Sequence, residues 1–140
     1  MLNTKTIHGL MLQFLVIAFL VLIFSPMLLA GNLSGNEVRQ LISGNTVEKV
    51  HAKRGYSIVT YYSPDGTYRQ IADGEAQSGT WNIDSEGQLC SMRQDWGGEC
   101  RLIAKEGSEW KAYKVPDNPM KPRTLKRIWK KIVRGNPRNL

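Results

Sequence analysis

Few residues of this chain are of the types that do chemistry. Cys90 and Cys100 are its only cysteines, and His8 and His51 its only histidines. The cysteine spacing is not the Cys-x-x-Cys of redox pairs or zinc ligands, and no histidine stands near it. In an oxidising compartment the two join as a structural disulfide. Such a bridge closes a loop of about 11 residues, worth roughly 3 kcal/mol of chain entropy. His51 is the one histidine outside the N-terminal apolar segment, and a hydrolase could recruit it as a base with serine and aspartate from distant positions. The chain has no Gly-x-Ser-x-Gly, His-Glu-x-x-His or phosphate-loop pattern. The carboxylate pairs Asp84/Glu86 and Glu106/Glu109 fall in turn-like segments, where solvated acids are the rule. The expectation is a non-enzymatic protein with no catalytic residue, metal or cofactor, and a hydrolase using His51 is the weaker alternative.

The elements that carry these residues begin after an apolar leader. Lys5 and His8 precede Leu10–Ala30, which is apolar apart from Gln13, Ser25 and Pro26. A helix-breaking proline followed by Ala30-Gly31 reads as a secretory signal peptide cut after Ala30. The alternative is a retained anchor, since about 20 apolar residues suffice to cross a bilayer. Either way residues 31–140 lie outside the cytoplasm, in the periplasm or secreted, or held at the inner membrane by residues 10–30.

Charge divides the remainder. Residues 31–119 hold ten Lys and Arg against twelve Asp and Glu, a net of −2, whereas residues 120–140 hold eight bases and no acid. The formal charge of +7 on 140 residues is therefore a C-terminal property. The domain reading is a leader over 1–30, a barrel over 31–119 and a basic segment over 120–140.

Ser34-Gly35-Asn36-Glu37 is a capping box, and Val38, Leu41 and Ile42 follow at helical spacing before Gly44, which predicts a short helix over about 35–43. The pattern then becomes strand-like. Thr46–Val50, Tyr56–Tyr62, Thr67–Ala72, Gly79–Ile83, Gln88–Met92, Cys100–Ala104 and Glu109–Val115 are punctuated by Pro64-Asp65-Gly66, Asp73-Gly74, Asp84–Gly87 and Glu106-Gly107. About seven short antiparallel strands predict a mainly β fold, a meander barrel or half-barrel, with a sandwich as runner-up. A barrel of about eight strands has room for side chains or one small ligand. Tyr56, Tyr61, Tyr62, Trp81 and Trp110 are the candidates to line it, as core or as ligand contacts. Trp96-Gly97-Gly98 reads as a loop tip between the cysteines.

Tyr61-Tyr62-Ser63-Pro64-Asp65-Gly66-Thr67, Gly79-Thr80-Trp81, Leu89-Cys90, Cys100 and Gly135-Asn136-Pro137 with Leu140 together resemble a family of small exported proteobacterial domains of uncharacterised function with a lipocalin-like β-barrel. The resemblance covers most of residues 33–140. It implies a calycin-like barrel, a periplasmic or envelope setting and a Cys90–Cys100 bridge, and it carries over no catalytic residue. The basic stretch Lys121–Arg134 departs from it.

That stretch has two readings. As a helix, Thr124 caps it, and Leu125, Ile128, Trp129, Ile132 and Val133 form an apolar stripe at i, i+3, i+4, i+7 and i+8, with Gly135 as the stop. As a strand it alternates poorly but would close the barrel. Periodicity favours the helix. Its stripe would dock on the barrel, or Lys126, Arg127, Trp129, Lys130, Lys131 and Arg134 would meet an anionic membrane surface. Eight bases could also neutralise phosphates, but export and an acidic body argue against nucleic acid. The functional expectation is an exported envelope barrel that binds a small apolar ligand or a protein partner. The alternative is a structural or membrane-surface protein that uses residues 121–134.

Overall fold

The computed structural model describes residues 31–140. The signal-peptide or anchor reading of residues 1–30 lies outside the described residues. A two-residue strand β1 (Gly31–Asn32) and helix α1 (Gly35–Ile42) come first. Eight strands follow: β2 (Asn45–His51), β3 (Ser57–Tyr62), β4 (Thr67–Ala72), β5 (Glu75–Ile83), β6 (Leu89–Arg93), β7 (Gly97–Glu106), β8 (Glu109–Lys114) and β9 (Thr124–Arg134).

Each strand from β2 to β9 pairs antiparallel with the next, and β9 pairs back on β2, so the meander closes into an eight-stranded barrel. This is the lipocalin-like form expected of it, and closure leaves no long edge with unpaired amides. β1 extends the ladder on β7, with Gly31 opposite Lys105 and Asn32 opposite Ala104.

Local chemistry explains the pieces. The Ser34 box forms in full: the Glu37 amide donates to Ser34 Oγ at 3.3 Å and the Ser34 amide to Glu37 Oε2 at 2.7 Å. Both satisfy helix-end donors. Val38 and Ile42, four residues apart and both 0% exposed, turn α1 into a plug. Its apolar face joins a core of Val47, Tyr62, Tyr68, Trp81, Leu89, Ile103, Ala112 and Trp129. Asp73 and Gly74, both at positive φ, make a two-residue hairpin between β4 and β5 of the kind strand twist favours. Gly79 in β5 has a packing reason instead: a Cβ there would lie 2.0 Å from the Met92 carbonyl oxygen and 2.9 Å from Tyr68. Cys90 and Cys100 sit directly opposite each other on β6 and β7, 3.9 Å apart at Cα, and are joined by the disulfide. Trp96 tips the intervening turn and is 77% exposed.

The helix expected over 121–134 is not formed. Thr124–Arg134 is the closing strand, pairing with β8 on one side and β2 on the other, so the barrel extends beyond residue 119. The β9 ladder has two irregularities. Ala112 faces Arg127 while Tyr113 faces Leu125, and Lys49 faces Trp129 while Glu48 faces Lys131. Lys126 and Lys130 are thus extra residues in β9. The apolar residues split between the two faces: Trp129 and Ile132 oppose Lys49 and Val47 on the inner face, whereas Ile128 and Val133 oppose Val50 and Thr46 on the other. The strand also wins energetically, because a helix here would leave β2 and β8 as two unpaired edges.

Beyond β9 the chain is tied down. Thr46 Oγ1 donates to the Gly135 carbonyl at 2.7 Å and the Gly135 amide to the Gly44 carbonyl at 3.0 Å. Asn136 and Leu140 exchange two further bonds.

Candidate functional site

Alternation along each strand sends every second side chain inside. At the end covered by α1, these positions carry Val47, Tyr62, Trp81, Leu89, Ile103 and Trp129, all buried. Tyr62 and Trp81 meet edge-to-face with centroids 5.8 Å apart, and Trp81 Nε1 donates to the Ser63 carbonyl at 2.9 Å. This half is filled by side chains.

Farther along the same strands the inward residues become polar. Lys49 follows Val47 on β2, Thr60 precedes Tyr62 on β3, Gln70 follows Tyr68 on β4, and Gln77 lies on β5. Glu99 and Arg101 precede Ile103 on β7, and Arg127 precedes Trp129 on β9. A hydrogen-bonded ladder crosses three strands: Thr60 Oγ1 to Gln70 Oε1 at 2.9 Å, and Gln70 Nε2 to Gln77 Oε1 at 2.7 Å. Ile58 and Ala72 are the buried apolar residues on its flank.

Lys49 is the central oddity. It is only 6% exposed, and its ammonium donates to the Tyr62 hydroxyl at 2.8 Å and stands 5.1 Å from that ring's centroid. Among the described residues, no carboxylate pairs with it. Burial holds its pKa well below the ordinary lysine value, helped by the positive charges of Arg101 and Arg127. Burial pushes the Tyr62 hydroxyl up to about 12, against the pull of Arg101. Arg127 is also depressed, first by burial and then by Arg101. Arg101 bonds Glu99 through Nη2, while its buried Nε has no hydrogen-bond partner. Among the described residues the polar half therefore gathers Lys49, Arg101 and Arg127 around Glu99, and register puts Arg93, paired with Asp95, and the exposed Glu75 on the same face nearer the mouth.

His51 stands at the rim, its ring 5.0 Å from that of Tyr56. Its Nδ1 accepts from the Lys53 and Arg54 amides at 3.2 and 3.3 Å. A triad base would offer that nitrogen to a carboxylate. Burial lowers its pKa, with added contributions from Arg127, Arg54, Lys126 and Arg101. Among the described residues, Asp84, Cys90 and Cys100 form the one group of three with atoms close enough for a metal, and the two sulfurs are spent in the disulfide.

Of the aromatic candidates, Tyr62 and Trp81 are core and Trp110 is half-buried beside the Lys105 ammonium, 5.4 Å from its ring. Tyr56 is at the rim. Tyr61 is not an interior residue: it alternates with Tyr62, faces outward between Thr46 and Arg69, and is half-buried there. The proposed anionic-surface face is likewise dispersed. Trp129 is 1% exposed in the core, Arg127 points inward, and Lys130 pairs with Glu109. Lys131 and Arg134 remain exposed, and Lys126 is half-buried. The basic tail and the acidic body in fact neutralise one another in part, through Lys130–Glu109, Arg138–Glu48 and Arg123–Glu106.

Sequence reasoning passed over Lys49, Thr60, Gln70, Gln77, Glu99 and Arg101. The signal was present in the alternation: Lys49 shares a strand face with Val47, and Arg101 with Ile103. A charged residue in phase with a buried aliphatic is a candidate for the inside. Set against known proteins, the chain matches no protein-family model, and no curated protein matches it in sequence.

Proposed function

We propose that this is an exported binding module of the cell envelope, a disulfide-stapled barrel that takes a small molecule through the end opposite α1. The carrying observation is the asymmetry of the barrel interior. One half is packed solid, and the other presents hydrogen-bonding groups and Lys49, a buried cation without a carboxylate partner. Ligand sites commonly combine apolar walls with a few convergent polar groups at a barrel mouth. The disulfide supports an oxidising compartment, and the apolar leader and the resemblance to exported domains point to the periplasm. Because Trp81, Trp129 and Tyr62 fill the apolar half, the reading shifts from a wholly apolar ligand to one with a polar head.

Native mass spectrometry of the protein recovered from its own envelope tests this. The expected result is an adduct that disappears on denaturation and exchanges with added ligand. A bare mass under gentle conditions, with no captured partner, would overturn it.

A further inference from the structure

The polar half of the barrel carries an excess of positive charge that the described residues do not balance. A buried ammonium is costly unless a counter-charge reaches it, and proteins that keep one have a use for it. Lys49 is buried and spends one of its three donors on Tyr62. Arg101 spends Nη2 on Glu99 and leaves Nε buried and unpartnered. Arg127 bonds a carbonyl, that of Lys126, at 2.9 Å. These three cations project inward from β2, β7 and β9, and the charges of Arg101 and Arg127 both reach Lys49.

We propose that this half of the barrel is an anion site, in which Lys49, Arg101 and Arg127 take the carboxylate or phosphate head of a small molecule. This rests on the binding-module reading and names its ligand class. The donors suit an oxyanion. A guanidinium presents a planar fork of N–H groups, and an ammonium adds a compact charge. The Tyr62 hydroxyl, which accepts from Lys49, keeps its own proton to donate. In a partly desolvated site each of these contacts is stronger than at the surface. Glu99 orients Arg101 and repels a second negative group, so a compact anion fits better than a polyanion.

The test uses the full chain with its disulfide formed. Thermal melts are run with sodium phosphate in one arm, sodium acetate and octanoate in another, and sodium chloride at matched ionic strength as the reference. The Arg Nε–H resonances are followed by NMR. The expected result is a saturable rise in Tm from phosphate or from a carboxylate beyond that from chloride, together with a shift of the Arg101 Nε–H signal. Lys49→Met should weaken that anion at least tenfold, whereas Lys130→Gln should not. An equal Tm rise in Lys49→Met, no rise in either arm, or binding that leaves the Arg101 Nε–H signal unmoved would each overturn the proposal. The last of these reads the wild-type protein and holds even if Lys49→Met fails to fold. An uncharged adduct in native mass spectrometry would reject the anion and keep the binding module; no adduct and no anion response would reject both.

Discussion

The two halves of the barrel interior are built from alternate residues of the same strands, within two or three positions of one another, yet they obey opposite rules. Under α1, Val47, Ile103 and Trp129 leave water for one buried apolar cluster with Val38 and Ile42, and burial there is favourable. Two residues away along β2, β7 and β9 stand Lys49, Arg101 and Arg127, whose burial is unfavourable unless each finds a partner. The apolar half supplies the stability that lets the cationic half persist. Strain at a site offset by packing elsewhere is the usual signature of function.

The largest effect should come from breaking the apolar side. Trp129→Ala empties the centre of the core and loosens the closing strand, and should cost about 3–5 kcal/mol in urea unfolding. Equal stability in the variant would mean that β9 contributes no core.

Next, Glu99→Gln removes the carboxylate that pairs with Arg101 in the cationic half. It should cost about 1–2 kcal/mol, because Arg101 then keeps its charge without a counter-charge in a largely buried position. A gain in stability would show that this acid is not needed there.

The opposite change sharpens the contrast. Lys49→Met should stabilise the ligand-free protein by about 1 kcal/mol, by removing a buried unpaired charge of similar shape. The pH dependence gives a second check. The pKa of Lys49 is lower folded than unfolded, so the folded state releases its proton first. Stability therefore rises with pH from that depressed value up to the ordinary 10.5. Tyr62 acts the other way: raised from 10.0 to about 12, it adds stability below 10 that is lost as pH climbs through 12. Denaturant melts across alkaline pH should show the rise in the wild type and only the Tyr62 decline in Lys49→Met. A rise retained in the variant would place its source elsewhere.

The smallest effect should be at the plug. Ser34→Ala removes the cap of α1 and should cost about 1 kcal/mol. The anion response should be unchanged, since the cap lies at the far end. A changed response would mean that the two halves are coupled.

Much of the frame was legible in local chemistry. The Ser34–Glu37 box, the Asp73-Gly74 and Pro64-Asp65-Gly66 turns and the β-branched run of Tyr56–Tyr62 each act within a few residues, and the elements stand where those signals put them. The misreading of Lys121–Arg134 came from the same kind of signal. The apolar spacing of Leu125, Ile128, Trp129, Ile132 and Val133 fits a helix, and only the partners β2 and β8 reveal a strand with these residues on both faces. Tyr61 was misplaced for a related reason, since a strand apolar on both faces does not say which face is inside.

What the sequence alone determined is the set of short-range features: strands β2 to β8, turns, the capped helix, the lone cysteine pair and the charge split between body and tail. Each depends on backbone preference or composition, which neighbours in the chain settle. The tertiary structure alone decided which face of each strand turns inward, that the basic tail closes the barrel, and that Lys49, Arg101 and Arg127 converge within it. Those outcomes depend on sheet closure, where the cost of unpaired strand edges outweighs a local helical pattern and brings together residues up to 78 positions apart.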